Sequence, residues 1–193
     1  MQKTLSRQEY GDTMVEGVIT ISKRDFADTL YSWLSEHLAE HEVREMAKRV
    51  EFRIKRLCRL GINKKLYSRF HSELFALNMY LIVFTCEGMI EDVEKKNNVL
   101  STFHQLVYAR NIKVTGIRYN RWMRLMELIY DRYRKAMEEK GSLLTPVLLV
   151  AHEFERNLFG ALTLDPYVRF ETGMRIGGIV KQLSHLLQEY DIE

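Results

Sequence analysis

From residue 22 onward, apolar side chains return every three or four positions, the period of a helix buried along one face. Phe26, Leu30, Trp33, Leu34 and Leu38 make the first such stripe, and Ser22 with Asp25 supplies a capping pair to start it. Val43, Met46, Val50, Ile54 and Leu57 make the next, ended by Gly61. No glycine or proline separates these two stripes, so they predict either two helices or one long kinked one. Asn63 caps a third helix carrying Leu66, Phe70, Leu74, Leu77, Leu81 and Phe84. From Leu74 to Phe84 that helix is apolar on nearly every side, which places it in the middle of the fold. A fourth helix is expected over 90–110 and a fifth over 119–139. The only two prolines follow good N-cap residues, in Thr145-Pro146 and Asp165-Pro166, and mark two further helix starts. These helices are expected to end near Gly160 and Tyr190. Gly173 and Gly177 share a face of the last one with Phe170 and Met174. An interior glycine costs up to about 1 kcal/mol, so close approach of a neighbouring helix is the expected compensation.

Strand-like alternation is confined to 14–21, where Val15, Gly17, Ile19 and Ile21 alternate with more polar neighbours. The fold expected is therefore all-α: a single domain over 1–193, a bundle of about six to eight helices. Residues 1–21 form an N-terminal arm with a short extended segment near 14–21. A chain of 193 residues buries roughly 70% of its unfolded surface and can build its own core. Cys58 and Cys86 are too few for a disulfide framework and form no C-x-x-C pair, which fits a reducing compartment. The first residues lack the apolar stretch of a secretory signal. The longest apolar runs, 77–84 and 143–151, fall well short of the roughly 20 residues of a membrane span. A soluble, cytoplasmic protein is expected.

Candidate chemistry is sparse. HLAEHE, residues 37–42, reads as H-x-x-E-H and invites a zinc hydrolase built on His37, Glu40 and His41. The two histidines also continue the Phe26–Leu30–Trp33 stripe near a helix C-terminus, and nothing downstream singles out a third ligand. Three residues before each histidine stand Leu34, Leu38, Ser68, Ser101, Leu149 and Gln182, so no Glu-x-x-His pair is available for a di-iron bundle. Phosphate-loop, dinucleotide and nucleophile-elbow patterns are absent. No metal or cofactor is expected. His71 and Asn78 share the apolar third helix and are read as members of an internal polar network, with a pocket including Tyr80 as the alternative. In the stretch 151–157, His152, Glu153, Glu155 and Arg156 are read as a solvated, salt-bridged face.

Charge is more informative in its distribution than in its sum. The net charge is only +3, yet 44–69 holds ten basic residues against two acidic ones, and 110–135 holds eight against two. In the first stretch Lys48, Phe52, Lys55 and Arg59 fall on one ridge, flanked by Arg49, Arg53 and Arg56. In the second, Arg121, Arg124, Arg132 and Lys135 lie off the Trp122–Leu125–Met126–Ile129 stripe, with Tyr130 and Tyr133 nearby. Cations interleaved with aromatic rings suit an acidic protein surface, or nucleic-acid phosphates with base stacking. The expected function is thus a non-enzymatic interaction or regulatory module that docks an acidic macromolecule through basic helices at 44–59 and 118–135. A nucleic-acid binder is the first alternative, the metal-dependent hydrolase the second. A homo-oligomer is compatible with the pattern.

Overall fold

A computed structural model of the chain describes residues 19–38, 43, 44, 46, 48, 64–138, 145–159 and 166–193. Six α-helices run through the described residues: α1 Lys23–His37, α2 Lys64–Met89, α3 Val93–Val107, α4 Tyr119–Met137, α5 Pro146–Phe159 and α6 Pro166–Glu189. The all-α expectation holds. The second apolar stripe, at 43–57, lies outside the described residues except for Val43 and Met46.

Helix starts follow the capping chemistry. Ser22 Oγ accepts the Asp25 N–H at 3.2 Å and donates to the Asp25 carboxylate at 2.6 Å, which opens α1. Asp92 accepts the Lys95 N–H at 2.8 Å and opens α3, three residues later than the apolar pattern alone suggests. That backbone hydrogen bond also lowers the Asp92 pKa. α3 does not run on regularly to Arg110. It passes into a π-turn, Tyr108–Ile112, and a 3₁₀ turn, Lys113–Thr115, ending on Gly116 at φ +76°. Side chains hold this segment in place: Tyr108 O–H donates to the Ile117 carbonyl at 2.8 Å, and Tyr31 O–H donates to Asn111 at 2.8 Å. Arg110 pairs with Asp28 at 2.7 Å and lies 4.5 Å over the Tyr31 ring.

α2 is the central element and touches all five other helices. Leu74, Leu77, Met79, Tyr80, Leu81 and Ile82 are buried around its circumference, as an all-round apolar sequence requires. α1 lies on α3, α4 on α5, and α5 on α6, closing a layer around it. The extended segment is seen as Ile19–Ile21 (β1), pairing in parallel with Tyr190–Ile192 (β2), Ile19 opposite Tyr190. β2 was not expected, because its three residues simply continue the helical stripe of α6. Among the described residues no helix is long and apolar enough to cross a membrane.

Candidate functional site

α4 carries the second basic stretch and is the most clearly two-faced helix of the bundle. Trp122, Met126, Tyr130 and Tyr133 face inward and are buried. Arg121, Arg124, Leu128 and Lys135, three, four and seven residues apart, form the opposite ridge, about 20 Å long. All four are exposed, Leu128 by 63%. Leu125 is 45% exposed and stands at the edge of this ridge, not on the buried stripe to which its spacing assigned it.

The ridge begins at a helix start written against its own dipole. The first turn of α4 contains no acidic residue, and its N-cap is Arg118, whose side chain makes no capping hydrogen bond. Cations at the positive end of a helix are unfavourable by about 0.3–1 kcal/mol each. Arg118, Arg121 and Arg124 gather there around an open groove of about 930 Å³ that also includes Gly116 and Leu125.

Not every cation in the stretch contributes to this surface. Arg110 is neutralised by Asp28, and Arg134 by Asp131 at 2.8 Å and Glu87 at 3.5 Å. Arg132 donates to Asn157 of α5 at 3.1 Å. Arg118, Arg121, Arg124 and Lys135 form no ion pair among the described residues. Tyr130 requires a correction: it is 5% exposed, and its hydroxyl donates to His104 Nε2 at 2.9 Å, so its ring faces the core and cannot meet a partner. Of the first basic stretch, Lys48 is exposed, while Arg49, Phe52, Arg53, Lys55, Arg56 and Arg59 lie outside the described residues.

His37 is held from both sides. Its Nδ1 is 2.9 Å from the Trp33 carbonyl, its Nε2 is 3.0 Å from Gln182 Oε1, and its ring stacks on Trp33 at 3.8 Å. These contacts join the end of α1 to α6, and Arg175 Nη2 adds a hydrogen bond to the His37 carbonyl at 3.0 Å. Glu40 and His41 lie outside the described residues, among which no group of three or more His, Cys, Asp or Glu could hold a metal.

No protein-family model, curated protein or solved structure matches this chain. Its chemistry is read from its own side chains.

A second polar constellation lies around α5; it is salt-bridged, as the spacing of Glu153 and Arg156 predicts, but it is not solvated. Glu153 and Glu155 are 6% and 1% exposed, so 151–157 is not a solvated face. Residues two apart on a helix point to nearly opposite sides, and α5 is covered on both. Glu155 faces α6, where Arg169 donates to it from Nε and Nη2 at 3.2 and 3.1 Å. Glu153 faces α4 and pairs with Arg156 one turn on. Nearby on α2, burial pushes the Glu73 carboxyl pKa up, against the opposing pull of Arg132 and Arg69 and with a smaller upward push from Glu153. Burial also raises the Tyr133 phenol, which sits beside Asn157. His71 and Asn78 are not joined in one hydrogen-bond network among the described residues. His71 is exposed, while Asn78, about 10 Å further along α2, is fully buried with neither side-chain polar atom hydrogen-bonded among the described residues.

Proposed function

We propose that this protein is a non-enzymatic docking module whose α4 ridge receives an acidic protein segment. The observation that carries the reading is the ridge itself: Arg118, Arg121, Arg124 and Lys135, exposed and outside any ion pair among the described residues, with Leu125 and Leu128 exposed between them. Exposed leucines flanked by Arg121, Arg124 and Lys135, with the nearby Asp131 already paired to Arg134, match a partner helix that presents carboxylates beside an apolar side chain. The dipole argument supports the same sign of partner, because an anion at the start of α4 relieves a repulsion built into the free molecule. Nucleic acid is the weaker match. Stacking onto bases needs exposed rings, and Trp122, Tyr130 and Tyr133 are buried. The first basic stretch, at 44–59, would extend the surface if it shares this side of the bundle. The reading places the protein in the cytoplasm: it has two cysteines, and burial pushes the thiol of Cys86 up to about 12, so it behaves as a core hydrophobe.

The test is capture from nuclease-treated lysate on immobilised wild-type protein and on the variant Arg121→Glu with Arg124→Glu. Both positions are exposed, and reversing charge near the positive end of α4 should leave the fold as stable as before or more stable by about 1 kcal/mol. Loss of binding would therefore not come from unfolding. Acidic proteins should be retained by the wild type, released by salt, and lost with the variant. Retention that disappears on nuclease treatment would move the assignment to nucleic acid, and retention unchanged by the double reversal would reject the ridge.

A further inference from the structure

The C-terminal half of α4 and the facing side of α5 enclose a cleft of about 390 Å³. Arg132 and Lys135 stand on one wall, His152, Glu153 and Arg156 on the other, with Leu149 contributing apolar surface. Two of the three cations are fixed before any ligand arrives. Arg132 is tethered across the gap to Asn157 at 3.1 Å, and Arg156 is tethered one turn back to the buried Glu153. A guanidinium has five N–H donors in a rigid fork, so each keeps donors to spare after its tether is made. Lys135 forms no ion pair among the described residues and can swing into the opening.

Charge and shape narrow the ligand. Among the lining residues three cations face the single carboxylate of Glu153, an excess of two positive charges counting His152 as neutral. Glu73 of α2 is near enough to Arg132 to offset part of it. A planar carboxylate is satisfied by one fork, whereas a tetrahedral dianion can accept from two forks and an ammonium at once. A volume of this order suits a small molecule, and Leu149 with Ala136 offers apolar surface for a carbon skeleton. We propose that the α4–α5 cleft binds a small phosphomonoester, its phosphate seated between Arg132, Lys135 and Arg156. The site shares Lys135 with the docking ridge but rests on Arg132 and Arg156, which are not part of that ridge, so it does not depend on the docking reading.

Calorimetric titration of the whole chain with glycerol 3-phosphate, and with glycerol as control, tests the proposal. Saturable one-to-one binding of the phosphate ester alone is expected. Lys135→Met and Arg132→Ala should each weaken it by about tenfold, the effect of losing one charge-assisted contact. Arg121→Ala, on the ridge outside the cleft, should leave it unchanged. Lys135→Met is the safer variant, because no described ion pair is broken by it. Absence of saturation up to about 10 mM, or equal weakening by Arg121→Ala, would overturn the site and leave only general surface attraction.

Discussion

His104 shows how a single buried side chain ties stability to pH. Its Nδ1 is 2.7 Å from the Leu100 carbonyl, which can only accept, so the proton sits on Nδ1. Nε2 is then the acceptor for the Tyr130 hydroxyl at 2.9 Å. A second proton would break that bond inside the aromatic cluster of Trp122, Phe103 and Tyr130, and burial accordingly lowers the His104 pKa below its ordinary 6.5. The native state keeps the ring neutral while the unfolded chain takes up a proton, so this contribution is fully present above about pH 6.5 and is lost as pH falls below it. Denaturant midpoints should decline from pH 7 to pH 5. The double variant His104→Leu with Tyr130→Phe, which removes both polar partners together, should flatten that slope, and an unaltered slope would assign it to other groups. The pairing itself could not be read from sequence. Tyr130 sits amid cations and resembles a surface aromatic until α3 is folded against α4. Asn78 was legible as a buried polar residue, but its lack of a described partner was not.

At the scale of elements, capping chemistry and apolar period were enough to place most helices. Ser22, Pro146 and Pro166 mark their starts as read, because these signals are local. The departures are where contacts from elsewhere decide. α3 yields to a π-turn because Asp28, Tyr31 and Ile117 hold Arg110, Asn111 and Tyr108 in that geometry. α5 buries two glutamates because helices cover it on opposite sides, each supplying or adjoining an arginine. The glycines of α6 divide likewise. A Cβ on Gly173 would stand 3.0 Å from Leu148 Cδ2, whereas a Cβ on Gly177 would meet nothing within 4 Å among the described residues. Close helix approach therefore accounts for Gly173 and not for Gly177. Gly177→Ala should stabilise the protein by up to about 1 kcal/mol through helix propensity alone. That corresponds to a rise in Tm of about 2–4 °C for a chain of this size. Gly173→Ala should gain less or lose stability, since Leu148 must shift. Equal gains in thermal unfolding would contradict the packing described here.

For the whole molecule, the concentration of positive charge in two stretches was legible, but which cations stay available was not. Arg110 finds Asp28 across 82 residues and Arg134 finds Glu87 across 47, pairings that no local pattern announces. What remains on α4 is a narrower surface than the sequence suggested, richer in leucine and poorer in aromatic rings. That shift is why an acidic protein segment is favoured over nucleic acid. The most direct measurement is arginine-selective labelling with a dicarbonyl reagent, read by mass spectrometry on the free protein and on the protein bound to its captured partner. Arg121 and Arg124 should label readily when free and be protected in the complex, while Arg110 and Arg134 stay unchanged. A complex that forms with Arg121 and Arg124 still fully reactive would contradict the account.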